Sequence, residues 1–166
     1  MIGLNYKLSA LEKANTPILT GIVGAGQMGR GLVAQMMSMQ GMRPAVLVDS
    51  TLQKAKDAYH NADLKEGIDY APAETIAEGN RLLAEGKFVV TTNNELATKC
   101  DRIACTVDAT GIPEVGAKVA IDAIGNKKHI VMLNVETDVC IGHILYKMAN
   151  DAGVVYTGSA GDEPGP

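Results

Sequence analysis

A chain of 166 residues suits one ordinary domain, long enough to bury a real core. Hydrophobic residues make up 46% and charged residues 20%, the balance of a soluble globular protein, and a net charge of −4 gives no basic footprint for nucleic acid. No apolar run approaches the roughly 18–20 residues that cross a membrane, and the three cysteines, Cys100, Cys105 and Cys140, are too few and scattered for a disulfide scaffold.

In chain order, "LNYKLSALEKA" has helical apolar spacing at Leu4, Leu8 and Leu11, and Pro17 marks the loop beyond. The stretch shows no apolar segment of signal-peptide kind, so a reducing cytoplasm is expected. "ILTGIVGAG" predicts a buried first strand running into a glycine turn. "QMGRGLVAQMMSMQ" predicts a helix with Gly41 as its stop, its Met36, Met37 and Met39 serving as core filling. "PAVLVDS" is a second strand ending at Asp49, followed by a helix over "TLQKAKDAYHNA" and another over "PAETIAEGNRLLAEG" that stops at Gly86. "KFVVTTN" is the third strand, "NELATKC" a short helix or loop, and "RIACTVDATG" the fourth strand with Cys105 as a small core residue. A helix opens at Pro113, "KHIVMLNV" is the fifth strand, a helix runs to Gly153, and "VVYTGSA" is a sixth. The strands are continuously apolar and separated by helices, which predicts an α/β fold of Rossmann type. About six parallel strands would form a doubly wound sheet with helices on both faces.

Gly24, Gly26 and Gly29 match G-x-G-x-x-G at the junction of the first strand and helix. In that setting Gly24 permits a tight turn, Gly26 lets the backbone approach a pyrophosphate, and Gly29 lets the helix pack on the strand. The helix start offers free N–H groups to phosphate oxygens. Asp49 follows Gly29 by 20 residues, where a carboxylate can accept from both ribose hydroxyls. S-adenosylmethionine or flavin proteins, or a purely structural turn, would use the same glycines. Asp49 repels a 2′-phosphate and favours NAD, whereas Ser50, Thr51, Lys54, Lys56 and Arg43 could hold that phosphate.

Two further clusters sit at ends of later strands, where open parallel sheets bind ligands. Thr110 and Gly111 of "DATGIPEVG" can reach the nicotinamide half, unless the stretch is only a strand-to-helix turn. Asn134 and Glu136 of "LNVETD" would face the nicotinamide carboxamide or a substrate. Glu136 could instead answer the dipole of the following helix. His60, His129 and His143 lack metal-ligand spacing, so no metal site is expected. No Ser-His-Asp arrangement or P-loop lysine motif is present.

"GIVGAGQMGRG", "VDATGIPEVGA", "MLNVETDVCIG" and "DAGVVYTGSAGDEPGP" together resemble the N-terminal domain of the homoserine dehydrogenase-like family. That group includes 1-deoxy-D-xylulose 5-phosphate reductoisomerase-like enzymes and other proteins with a C-terminal SAF domain. The resemblance spans nearly the whole chain. It implies an NAD(P)-dependent oxidoreductase with Gly24, Gly26, Gln27, Met28 and Gly29 at the pyrophosphate, Asp49 at the ribose, and Thr110 and Gly111 beside the cofactor. Members of the reductoisomerase-like branch use NADPH, so NADP and NAD both stay open.

The expected organisation is a leading helix and linker over 1–16, a nucleotide-binding core over 17–158, and an exit over 159–166. The resemblance implies that the exit leads to a catalytic, oligomer-forming region that this chain lacks. That region would supply the catalytic groups and the small carbonyl or hydroxyl substrate's pocket, and the full-length protein would be a homo-oligomer. The chain alone would then bind a dinucleotide and turn over little. The alternative is a dinucleotide-sensing module without a catalytic role.

Overall fold

In the computed structural model, which describes residues 3–159, strands and helices alternate along the chain. The elements are α1 Leu4–Lys13, β1 Ile18–Val23, α2 Gln27–Ser38, β2 Met42–Val48, α3 Leu52–His60, β3 Tyr70–Pro72 and α4 Ile76–Ala84. They continue as β4 Phe88–Thr91, α5 Glu95–Lys99, β5 Cys105–Asp108, α6 Pro113–Gly125, β6 His129–Met132, α7 Val135–Ala152 and β7 Tyr156–Gly158. One parallel sheet runs β3-β4-β2-β1-β5-β6-β7. From β1 the chain builds outward to β2, β4 and β3, then returns to the other side of β1 with β5. The strand order therefore reverses between β1 and β5, and that is where a crevice opens at the carboxyl edge.

Alternation along each strand supplies the two faces. Ile22, Leu47, Val90 and Val107 pack on one side with Val33 and Met36 of α2 and Ala55, Ala58 and Tyr59 of α3. Val23, Val46, Val48, Val89 and Ile130 face the other side, against residues of α4 to α7 such as Leu82, Leu96, Val119 and Leu145. Each fully buried aliphatic side chain contributes about 1.5–3 kcal/mol over its exposed state. With both faces covered, the strands have no polar side to show, which is why they read as continuous apolar runs. This is the Rossmann-type doubly wound sheet, with seven strands among the described residues instead of six.

The missed strand is β3. Three residues are too short for a periodic signal, and Pro72 looks like a helix opener. At the sheet edge, however, a proline's missing N–H costs no ladder bond. The helix expected from Pro72 begins at Ile76 instead, where Thr75 and Glu78 form a reciprocal capping box. Gly41 is a second correction. The helix α2 stops at Ser38 and its C-cap Met39 is extended. Gly41, at φ +70°, lies in the turn into β2, where a Cβ would collide with the Leu8 carbonyl of α1. Gly86 and Gly153 do close α4 and α7 in left-handed geometry, and Pro113 occupies the first turn of α6. Met36 is buried, Met37 and Met39 are half-buried, and so is Cys105, whose thiol burial pushes up to about 11. Residues 160–166 of the expected exit lie outside the described residues.

The β1–α2 junction tolerates no side chain at Gly29, because a Cβ there would fall inside the Gly24 carbonyl oxygen. Gly31, two residues on in the same helix, faces open space. Gly29→Ala should destabilise the fold by about 1–3 kcal/mol in urea unfolding, whereas Gly31→Ala should stabilise it by up to about 1 kcal/mol. Equal effects would mean that the helix does not land on the strand as described.

Candidate functional site

The carboxyl ends of β1, β2, β4, β5 and β6 meet at one edge of the sheet, and their loops enclose two adjoining cavities. The smaller, of about 340 Å³, is lined by Gly24, Gly26, Asp49, Ser50, Lys54 and Thr110, among others. The larger, of about 770 Å³, is bounded by Gly26, Gln27, Met28, Thr110, Gly111 and Glu136, with further walls from α7. Gly26, Ala109 and Thr110 line both cavities. The site is thus a bipartite cleft draped across the glycine turn at the strand-order reversal.

Each glycine of the motif has a distinct steric reason. Gly24 turns the chain at φ +103°, and a Cβ there would lie 2.6 Å from the Ala109 carbonyl oxygen. Gly29 seats α2 on that turn. At Gly26, the N-cap of α2, a Cβ would have no neighbour within 4 Å. Gly26 is therefore not required by the protein's own packing, and the space beside it belongs to the cleft. The first turn of α2 carries no acidic residue and no side-chain cap, so its N–H groups face the cleft without an acceptor among the described residues.

Asp49 reaches back to this turn. Its Oδ2 accepts from the Ala25 N–H at 2.9 Å and its Oδ1 from the Thr51 N–H at 2.9 Å, with the Ser50 hydroxyl at 3.4 Å. These bonds aim the carboxylate into the smaller cavity while leaving lone pairs on both oxygens. Lys54 lines that cavity too, and with Arg30 and Asp57 it borders an adjoining pocket of about 160 Å³. Neither the Arg30 nor the Lys54 side chain has a hydrogen bond or ion pair among the described residues. The other two cations read as phosphate candidates are elsewhere. Arg43 sits at the opposite edge of the sheet, paired with Glu12 at 2.5 Å, and Lys56 pairs with Glu66 at 2.6 Å.

The sequence expectation for Asn134 is corrected. Asn134 is 1% exposed and does not face the cleft. Its amide donates to Asp108 Oδ2 at 2.9 Å, Thr110 Oγ1 at 3.2 Å and the Ile112 carbonyl at 3.1 Å. Its Oδ1 accepts from the Thr137 N–H and caps α7. Asn134 thus ties the loop after β5, which forms the shared wall of both cavities, to the start of α7. Asp108 is 0% exposed, and burial pushes its carboxyl above the usual range, opposed by hydrogen bonds from Asn134 and Thr110. Gly116 of α6 makes room for this cluster, since a Cβ there would lie 2.5 Å from Asp108 Oδ2 and 2.7 Å from Asn134 Nδ2.

Glu136 is exposed in the first turn of α7 and lines the larger cavity. Gln27, Met28, Ser50, Thr110 and Gly111 all border the cleft. Sequence reasoning missed Arg30, and it missed Thr92 and Asn94 of the β4–α5 loop, which close the smaller cavity. The signal for the latter was the polar run "TTNN" at a strand end. It also missed Val139 and Cys140 on α7, which line the larger cavity. His60, His129 and His143 are exposed and dispersed, and no group of metal-ligating side chains occurs among the described residues. Among those residues no helix is long and apolar enough to cross a membrane.

Removing the Asn134 amide should weaken the fold through the lost α7 cap and a buried Asp108 Oδ2 left without its donor. Asn134→Ala is expected to cost about 2–4 kcal/mol in urea unfolding; a loss below about 0.5 kcal/mol would contradict the cluster's role. Because burial raises the native pKa of Asp108 above 3.8, the native state binds more protons than the unfolded chain just above that value. The stabilising contribution is therefore complete at lower pH and lost as pH rises through the native pKa. The Asp108 carboxyl carbon resonance should report a midpoint above 3.8.

No family model matches the chain, and no curated protein does. Solved structures do resemble it. A homoserine dehydrogenase from Thiobacillus denitrificans superposes with a TM-score of 0.59 at 21% identity, over 85% of this chain and 29% of that one. A scyllo-inositol dehydrogenase from Lactobacillus casei, with bound NAD(H) and scyllo-inositol, gives 0.60 at 13% identity, over 86% and 36%. An NAD-binding protein from Listeria innocua gives 0.57 at 15% identity, over 86% and 34%. The chain spans about a third of the length of these proteins, and what it shares with them is the Rossmann-type fold.

Proposed function

We propose that this chain is the NAD(P)-binding domain of an oxidoreductase. The observation that carries this is the glycine turn at the strand-order reversal, with Gly26 opening without a neighbour onto a cleft divided between two cavities. The solved structures that resemble the chain include an NAD-binding protein and dehydrogenases. The residues present suit a dinucleotide. The α2 N-terminus would hold the pyrophosphate, Asp49 and Ser50 the adenosine ribose, and the larger cavity the nicotinamide end.

When bound, the nicotinamide supplies hydride transfer to or from a small carbonyl or hydroxyl substrate. The chain's own residues bind and orient. Gln27, Met28 and Gly29 offer N–H groups to the phosphates, Asp49 accepts from ribose hydroxyls, and the Asn134-braced loop holds Thr110 and Gly111 against the cofactor. Glu136 is the carboxylate nearest to hand for orienting the nicotinamide or substrate. At finer grain, the four sequence motifs and the homoserine dehydrogenase likeness support an enzyme of homoserine dehydrogenase or reductoisomerase-like type. The remaining catalytic groups would come from a further region, and the protein would work as a homo-oligomer in the cytoplasm.

Asp49 favours NAD, while unpaired Arg30 and Lys54 beside it offer charge to a 2′-phosphate. Both cofactors are therefore accommodated. Fluorescence titration should give NADH and NADPH affinities within about tenfold, and Lys54→Ala should weaken NADPH more than NADH. Gly26→Ala should cost the fold no more than about 1 kcal/mol, the N-cap preference of glycine over alanine, yet weaken both by at least about tenfold, since its methyl would occupy the pyrophosphate's place. Binding unaffected by Gly26→Ala would sink the assignment, as would no binding of either cofactor at millimolar concentration.

A further inference from the structure

The opposite, amino-terminal edge of the sheet carries a separate cavity of about 300 Å³, beneath the starts of β1, β2 and β4. Leu19, Ala45, Leu83 and Phe88 form an apolar floor, and Arg43, Lys87 and Arg102 stand around it. Three cations gathered on a chain of net charge −4 call for an explanation.

Part of it is structural. Arg43 pairs with Glu12 and donates to the Met39 and Met42 carbonyls. Arg102 donates to the Leu83 carbonyl near the end of α4, and Lys87 to the Gly67 carbonyl at 2.9 Å. The carboxyl-terminal ends of helices carry on the order of half a negative charge each, and those of α1 and α4 both lie near this cavity. Glu12 and those two ends offset about two of the three positive charges, so about one remains. Lys87 keeps two N–H donors and Arg102 four, with no carboxylate partner in either case among the described residues. Asp101, adjacent to Arg102, does not line the cavity and accepts from the Asn80 amide.

We propose that this cavity binds a small organic anion with an apolar body, its charged group on Lys87 and Arg102 and its body on the floor between Leu19 and Phe88. The volume lies at the lower end of the range for small-molecule sites, and an apolar floor with a few convergent polar groups is their usual make-up. The site lies beyond the cofactor cleft and does not depend on the function proposed for it.

Phenyl phosphate is the probe, titrated into the isotope-labelled 166-residue chain and followed by amide and arginine side-chain NMR. Saturable shifts are expected at Gly86, Lys87, Phe88 and the Arg102 Nε–H. Inorganic phosphate, lacking the apolar body, and phenol, lacking the charge, should each need at least tenfold higher concentration. Lys87→Gln should raise the phenyl phosphate midpoint at least fivefold, and Lys87→Arg should restore it, with each variant's spectrum reporting its fold. Arg102→Gln, which keeps a donor for the Leu83 carbonyl, should act in the same direction. Shifts confined to the glycine turn around Gln27 and Met28, equal midpoints for phenyl phosphate and phosphate, or indifference to Lys87→Gln would each overturn the site.

Discussion

The whole arrangement hangs on one contact without a side chain, the seating of α2 on the end of β1. Gly29 lies so close to the Gly24 carbonyl that no Cβ fits between them. This fixes where the helix begins relative to the sheet, and so aims its unsatisfied N–H groups at the reversal point between β1 and β5. If the helix were lifted by even a methyl group, those donors would retreat from the cleft. The packing requirement and the shape of the cleft are thus one geometric fact seen from two sides.

A second constraint stabilises the far wall. The loop after β5 is half-buried to exposed, and it is fastened by polar groups buried at a cost. Asp108, Asn134, Thr110 and Thr137 satisfy one another across the ends of β5, α6 and α7. A buried network of this kind stabilises only when each member has a partner, and here no buried side-chain polar atom among the described residues is left without one. Asp49 does the comparable work on the near side by accepting from Ala25. Two carboxylates therefore brace the two walls. One is exposed enough to meet a ligand, and the other is sealed away.

Much of this was legible in the sequence because it rests on local signals. The glycines at 24 and 29 encode backbone requirements that no other residue meets, and Gly26 between them completes the spacing. The apolar strands report burial on both faces, and Pro113, Gly86 and Gly153 mark helix ends by their own stereochemistry. What escaped notice depends on tertiary neighbours. Asn134 reads as a cleft residue because it follows a strand, and only the proximity of Asp108, 26 positions earlier, draws its amide inward. Arg43 reads as a phosphate ligand by adjacency to β2, but it stands at the strand's start, a full strand length from the cleft. Gly41 looks like a helix stop, and its true reason is the passage of α1. β3 was too short to announce itself.

The central claim is that the α2 N-terminus and the two cavities beside it are one dinucleotide site. The most direct measurement is a crystal structure of the chain grown with NADH. The account predicts the pyrophosphate within hydrogen-bond distance of the Gln27 and Met28 amides, the adenosine ribose at Asp49, and the nicotinamide in the larger cavity against Thr110 and Gly111. A dinucleotide seated elsewhere, or its adenosine in the larger cavity, would contradict it.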